Sequence, residues 1–520
     1  MEIYLDANAT TPVLPQARDA ALAVMAASFG NPSSTHAAGL RARRLLDDAR
    51  AAARRVLGVS DGRVVFTSGA TEGIQTAVLS ALGALRRRME GVGLPQRPTL
   101  LYGATEHKAV PEALRHWSAL LGLDLPVHAI PVHRDGRHDL DWLRARAPDA
   151  GLVCTMAANN ETGVVSDLDG IAAALAGSPA LWLVDSVQAL GKVPLRLAER
   201  RIDYAPFSGH KLYAPKGVGL LYVRDGAPFT PLQAGGGQED TLRGGTENMP
   251  GIAAFGAVLR ALEEGGVFLE HAELEAARGR LAAALQDAFE GVVFNAPLEH
   301  SLPTTLNFSV PGVGSRQLIV LFDAAGLRVS GGSACSATKA EPSPVLEAMG
   351  LPDWQTRCAV RLSIGAAERP EVVDEACRRL RACGEMLRAA GPDGPDGPDA
   401  ALELPVERLL DWLRARPAAR VVDVRDPEEQ RLAPAFPGGE CVVQAMPLPA
   451  LLGDLPAWRA RQADAPVVFV CRTGQRSAQA ARALRRSGHA EAWSLAGGIA
   501  AHEAAAAGAG PSAGVPPAAR

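Results

Sequence analysis

Three successive Gly-Pro-Asp triplets occupy residues 391–399. Proline lacks a backbone donor and glycine costs backbone entropy, so this run extends neither a helix nor a central strand. The chain is therefore expected to fold as two bodies, one on each side of the repeat. Fully extended at ~3.3 Å per residue, about ten such residues reach only ~30–35 Å, so the two bodies stay tethered at short range. The expected boundaries are a first domain over 1–388, a linker over 389–401, a second domain over 402–506 and a disordered Ala/Gly/Pro/Ser tail over 507–520.

Before the repeat, short apolar runs alternate with Ala/Leu/Arg-rich helical stretches. The runs include Val64-Val65-Phe66, Leu152-Val153-Cys154, Leu181 to Val184 and Gly219 to Val223. That alternation predicts an α/β fold around a mostly parallel sheet, with ligands gathered at the carboxyl ends of the strands. After the repeat a smaller α/β pattern follows: a helix at 405–416, strands at 420–424 and 466–470, a helix at 476–487 and a strand at 491–495. A net charge of −4 points to neither nucleic acid nor an anionic membrane as partner. Seven scattered cysteines, with no C-x-x-C pair, predict free thiols in a reducing compartment and no metal site. No run approaches the ~18–20 apolar residues of a membrane span, and the N-terminus carries no signal pattern, so a cytoplasmic protein is expected.

Three segments of the large domain carry chemistry. Lys211, in Phe207-Ser208-Gly209-His210-Lys211, sits among small neighbours between apolar strands. A desolvated lysine there can condense with an aldehyde; a solubilising surface lysine is the alternative. The run Trp182-Leu183-Val184 ends in Asp185, placing a carboxylate at a strand edge, where it suits either a protonated pyridine nitrogen or a helix N-cap. Phe66 to Glu72 runs from a strand through Ser68, Gly69, Ala70 and Thr71 into a helix, which makes a phosphate cradle or a plain turn.

In the order Asp6 to Pro12, Phe29 to Ser34, Ser68 to Glu72, Thr105 to Lys108, Asn159 to Gly163, Asp185 to Gln188, Ser208 to Lys211, Arg243 to Asn248 and Ser333 to Cys335, the chain resembles the cysteine desulfurases of the nitrogen-fixation and iron–sulfur-cluster type, over about residues 2–388. The resemblance implies a fold-type-I enzyme dependent on pyridoxal 5'-phosphate (PLP), a large parallel-sheet domain plus a small α/β domain. It would take sulfur from L-cysteine, release alanine and leave a persulfide on the protein. Lys211 would hold the PLP aldehyde, Asp185 would pair with the pyridinium nitrogen, and Gln188 would bond the ring hydroxyl. His107 would stack on the ring and assist proton transfer, and Asn160 would sit near the ring hydroxyl and the substrate. Thr71, Ser208 and His210 would hold the phosphate, with Ala70 supplying a backbone donor. Thr246 would reach the phosphate of the partner subunit, which implies a homodimer. Arg361 would grip the substrate carboxylate as a two-pronged fork, a surface arginine being the alternative. Ala7, Ser186, Ser336 and Ala366 depart from the family pattern, at positions that are not expected cofactor contacts.

Cys335 lies in Ser330 to Lys339, a stretch of small residues with almost no apolar anchor. Most lone cysteines are buried small hydrophobes, but these neighbours suit a mobile loop. A thiolate there can attack the substrate sulfur and carry it to an acceptor, which makes Cys335 the expected nucleophile.

In the small domain Val467 to Val470 delivers Cys471-Arg472-Thr473-Gly474-Gln475-Arg476-Ser477 into a helix. Backbone N–H groups and the helix start favour a thiolate and then a persulfide, with two arginines adding to the field. The spacing is C-x4-R, whereas a cysteine phosphatase wants C-x5-R. Over about 402–506 the domain resembles single-domain rhodaneses, through Val421 to Arg425 with Pro427-Glu428-Glu429, and through Leu495 to Ile499. The resemblance implies Cys471 as persulfide carrier, Arg472, Thr473, Gly474, Gln475 and Arg476 as its loop, and Asp423 and Arg425 as support. His502, where a tryptophan is usual, and the stretch after Arg431 depart from the pattern. A docking module without sulfurtransferase activity is the alternative for this domain. For the large domain the alternatives are a selenocysteine or cysteine-sulfinate lyase and an aminotransferase. The expected partners are L-cysteine and a sulfur acceptor protein, among them an iron–sulfur scaffold that could share a cluster ligand with Cys335.

Overall fold

The computed structural model describes residues 2–92, 97–331, 342–389, 402–437, 439, 441–462 and 465–508. Cys335, the Gly-Pro-Asp repeat and residues 509–520 lie outside the described residues. The chain divides into two units, Met1–Ile319 with Leu327–Gly384, and Val320–Gly326 with Glu385–Arg520.

The first unit is built on a seven-stranded sheet. Its strands in chain order are β1 (Arg63–Thr67), β2 (Thr99–Gly103), β3 (Val127–Ile130), β4 (Ala150–Met156), β5 (Leu181–Asp185), β6 (Tyr204–Ser208) and β7 (Gly219–Val223). In space they run β1-β7-β6-β5-β4-β2-β3, and only β7 lies antiparallel to its two neighbours. The alternation of side chains along a strand separates two cores. Leu100, Leu152 and Leu183 face one layer, while Leu101, Val153 and Val184 face the other.

The helix Ala70–Val92 covers the first face because its apolar positions recur three and four apart. Ile74, Ala77, Val78, Ala81, Leu82 and Leu85 are all buried there. Each large aliphatic side chain among them contributes roughly 1.5–3 kcal/mol by leaving water. The helices Ala37–Leu57 and Met249–Glu264 share the second core. A smaller antiparallel sheet follows, ordered Ser330–Gly331, Val360–Ser363, Thr305–Ser309 and Val293–Phe294. It sets Arg361 opposite Asn307.

The second unit holds a five-stranded, all-parallel sheet: β8 (Glu403–Leu404), β9 (Arg420–Asp423), β10 (Val443–Ala445), β11 (Val467–Val470) and β12 (Ala492–Leu495). Their order is β8-β12-β11-β9-β10, so the wholly buried β11 sits at the centre and ends at Val470, just before Cys471. The two strands that sequence periodicity missed are the edges, two and three residues long, too short to show a period. The helix expected over 405–416 divides into a 3-10 turn at Val406–Arg408 and an α-helix at Leu409–Arg414.

Candidate active site

Strand register in the first unit brings the chemical residues to one edge of the sheet. Met156 pairs with Asp185 at the ends of β4 and β5. Gly219 pairs with both Thr67 and Ser208, so the turn after β1 and the end of β6 flank the same glycine. That position tolerates only glycine, since a Cβ on Gly219 would stand 2.7 Å from the Cα of Gly69. The close approach lets the backbone N–H of Ala70 donate to Ser208 Oγ at 2.9 Å. Ala70, exposed Thr71 and Ser208 thus stand at or beside the N-terminus of a long helix, a position that favours an anion. Half-buried His210, two residues after Ser208, has Nδ1 3.2 Å from Thr10 Oγ1. Burial, with the charges of Lys211 and Lys216, pulls His210 down to about 4, so its ring is neutral near pH 7.

Lys211 ends the 3-10 turn that follows β6. Its Nζ donates to the carbonyls of Asn8 at 2.6 Å and Ala9 at 2.8 Å. The same Asn8 carbonyl accepts from Gln188 Nε2 at 3.0 Å, which places Gln188 beside the lysine. The solubilising-lysine reading is therefore set aside. Asp185 is only 6% exposed and accepts from the N–H of Val187 at 3.1 Å. Burial pushes its pKa up, against the pull of His107 and Lys211. The pKa of Glu106 is driven well up by burial and by the charge of Asp185. His107 is exposed, and its Nδ1 accepts from the N–H of Ala109 at 3.2 Å, which leaves Nε2 as the donor in the neutral ring.

Arg361 is 1% exposed, which excludes the surface alternative. Its NH1 donates to the Asn160 carbonyl at 2.9 Å and its NH2 to Asp6, while Nε has no hydrogen-bond partner among the described residues. Thr246 is exposed, on the loop that carries Arg243, whose Nε bonds Glu72 at 2.7 Å. Sequence reasoning assigned no role to Asp6, Asn8, Glu72 or Lys192. Their only signal was membership of, or nearness to, motifs whose more reactive members drew attention.

The donor set matches a phosphorylated pyridine aldehyde. An acid and an amide stand at and just beyond the end of one strand, a lysine beyond the next, and hydroxyl and backbone N–H donors at a helix N-terminus. These residues fit PLP. Asp185 would meet the ring nitrogen, Lys211 the aldehyde, Gln188 the ring hydroxyl, and Ala70, Thr71, Ser208 and His210 the phosphate.

In the second unit Cys471 is 1% exposed, and its Sγ lies 3.4 Å from Ser477 Oγ. Ser477 Oγ meets Ser494 Oγ at 2.9 Å, and Ser494 Oγ donates to the Gly474 carbonyl at 3.1 Å. Gly498, at φ +64°, closes the loop from above. A Cβ there would stand 2.6 Å from Gly474 N and 2.7 Å from Thr473 N. Arg476 makes a two-pronged pair with Glu429 at 2.5 and 2.7 Å, and Arg472 pairs with Glu503 at 2.9 Å. Both arginine charges are thus compensated locally, and the loop's backbone amides and the helix start carry more of the field at the thiol than expected. Gln475 opens the helix that follows the loop. Asp423 and Arg425 form a buried pair, with Nε 3.0 Å and NH2 2.7 Å from the carboxylate, and Arg425 NH2 also reaches the Ala433 carbonyl. The pair stands at the end of β9 and ties it to the segment that ends at Ala433. His502, the departure from pattern, packs edge-on against Phe436 with ring centres 4.7 Å apart.

The chain matches the aminotransferase class-V family over residues 3–375 and the rhodanese-like domain over 406–505. It is 38% identical over 393 residues to a cysteine desulfurase of Cereibacter sphaeroides, covering 75% of this chain and 97% of that one. With the cysteine desulfurase NifS of Azotobacter vinelandii it shares 35% identity over 396 residues, 75% of this chain and 94% of the relative. Among solved structures, a NifS-like protein superposes with a TM-score of 0.66 at 33% identity, over 75% of this chain and all of the other. DndA from Streptomyces lividans does so at 0.56 and 35% identity, over 69% and 99%.

Proposed function

Because the chain belongs to the PLP-dependent cysteine desulfurases of the aminotransferase class-V family and carries a rhodanese-like domain, we propose that it converts L-cysteine to L-alanine through a persulfide on Cys335 and relays that sulfur to Cys471. The observation that carries the first step is the meeting of Asp185, Gln188, Lys211 and the Ala70–Ser208 contact along one sheet edge. When bound, PLP supplies an aldehyde to capture the substrate's amino group and a ring to withdraw electrons from it. The protein's own groups do the rest. Arg361 Nε–H and Asn160 orient the carboxylate, and Lys211 Nζ and His107 Nε2 carry protons. The Cys335 thiolate takes the sulfur as the carbon–sulfur bond breaks.

The relay rests on two candidate persulfide cysteines joined through one short linker, which keeps each near the other at roughly millimolar effective concentration. With 35S-cysteine, label is expected on both cysteines of the wild type. In Cys471→Ser it should stay on Cys335, and delivery to a downstream acceptor should fall by about tenfold or more, the loss of that effective concentration. Undiminished delivery would remove the relay. The burial of Cys471 supports a second reading, in which the rhodanese-like unit docks an acceptor and carries no sulfur. An unlabelled Cys471 in wild-type protein would select it. A reducing, cytoplasmic setting belongs to the same proposal, since persulfide chemistry needs free thiols, and so does an iron–sulfur scaffold as acceptor.

A homodimer completes this reading. Leu22 and Met25 lie three apart on the helix Pro15–Ala27 and are 55% and 60% exposed, with Phe29 at 76% and Leu40 at 59%. Such a patch suits a second copy, and Thr246 is exposed for it. Sedimentation velocity is expected to give twice the chain mass of 54.3 kDa, and Met25→Glu to raise the monomer fraction. A wild type that sediments as a monomer at micromolar concentration would refute it.

A further inference from the structure

A second lysine lies inside the PLP site with no assigned part. Lys192 is 7% exposed, and its Nζ donates to Gln188 Oε1 at 2.8 Å and to Asn8 Oδ1 at 3.4 Å. Among the described residues no carboxylate pairs with it. A buried ammonium without a counter-charge is costly, and the usual response is to neutralise it or to supply an anion. Burial, with the charges of Lys211 and Arg361, pulls its pKa to about 7.

The hydrogen-bond pattern gives this ammonium a direction of action. Ammonium protons need acceptors, so Lys192 dictates which end of each neighbouring amide faces it. Gln188 must turn Oε1 toward Lys192, which leaves Nε2 for the Asn8 carbonyl, the acceptor it shares with Lys211. Asn8 is fixed as well. Its Nδ2 donates to the Asn160 carbonyl at 3.2 Å and to Thr305 Oγ1 at 2.9 Å, so Oδ1 remains for the lysine. The Asn8 carbonyl, which can only accept, selects the same orientation from the other end, so Lys192 and Asn8 fix the Gln188 amide together.

We propose that Lys192 is a positioning residue: it holds the Gln188 amide with its N–H end toward the cofactor's ring oxygen and keeps a positive charge behind it. The proposal rests on the PLP reading of this site and assigns the anion that Lys192 awaits, the ring oxygen of the cofactor. Lys192 acts through Gln188 and through its field, alongside Lys211, Arg361, His107 and His210 and against Asp185.

The test is a pH titration of the visible absorbance of bound PLP in wild type, Lys192→Met and Lys192→Gln. Methionine keeps the length and removes both charge and donors, and glutamine keeps a donor and removes only the charge. A cation near the titrating group opposes its protonation, so losing Lys192 should move the midpoint upward in both variants, by about one pH unit. PLP affinity should fall about tenfold in Lys192→Met, because the Gln188 Oε1 loses its donor and the amide is then held from the Asn8 side only, and less in Lys192→Gln. A role in packing alone leaves the midpoint where it is. Midpoints unmoved or lowered in variants that bind PLP would overturn the proposal. If Lys192→Met does not fold, Lys192→Gln is read in the same way. A wild type that bound no PLP would instead sink the reading of the site.

Discussion

Lys211→Ala is expected to lose alanine production from L-cysteine by at least about 10³-fold while the fold survives. Proton transfer by one positioned side chain is worth ~10²–10⁴-fold, and this lysine also tethers the cofactor aldehyde. The structural cost is small. Lys211 is half-buried, and the hydrogen bonds it surrenders include those to the carbonyls of Asn8 and Ala9. Gln188 still bonds one of them. A net loss of about 1–3 kcal/mol, mostly from leaving those acceptors less satisfied, is the expected stability change. Arginine should not rescue. A guanidinium keeps the charge and the donors but cannot release its proton to become a nucleophile. The check is alanine release by amino-acid analysis beside thermal unfolding of wild type, Lys211→Ala and Lys211→Arg. Alanine formation within tenfold of wild type in either variant would remove Lys211 from the chemistry.

How much of this was legible beforehand depends on what each residue needs from the fold. The strands at 64–66, 152–154, 181–184 and 219–223 were visible because buried strands of an α/β sheet are unbroken apolar runs, and the edge strands at 403–404 and 443–445 have no run to see. Asp185 was legible because it ends such a run, where ligands gather, and Lys211 because it sits with Ser208 among small neighbours between apolar strands. Asp6, Asn8 and Lys192 were not, since their parts come from tertiary contact. Asn8 meets Gln188, Lys192, Lys211, Asn160 and Thr305 across up to 297 residues of chain. Glu429 was quoted only within a motif, yet it carries the pair that compensates Arg476. A sequence shows that a loop is basic, but it does not show which acids will fold against it. Arg361 kept a surface alternative for the same reason: only the register against Asn307 puts it inside.

Asp185→Asn is expected to lower turnover by roughly 10²–10³-fold, the scale seen when one preorganised charge or donor is removed from a low-dielectric site. Asparagine keeps the shape and can still accept from the Val187 N–H, which in the native protein lies 3.1 Å from Asp185 Oδ1. What it cannot do is keep a proton on the ring nitrogen by charge, so electron withdrawal from the substrate weakens while packing does not. Stability should move the other way. Burial raises the pKa of Asp185 above its ordinary value of 3.8, so at low pH the folded chain holds a proton there that the unfolded chain gives up more readily. That contribution is present below the unfolded pKa and is lost as pH rises through the folded one. Without PLP, then, the carboxylate burdens the folded state at neutral pH, and the neutral amide does not. The cofactor-free Asp185→Asn protein is expected to melt at or above the wild-type temperature near pH 7, with the difference shrinking toward pH 4. Alanine assays and melting curves across that range, on the same preparations, decide it. A variant that both melts lower at neutral pH and turns over within tenfold of wild type would mean that Asp185 is a structural cap, and that the ring nitrogen has no acid beneath it.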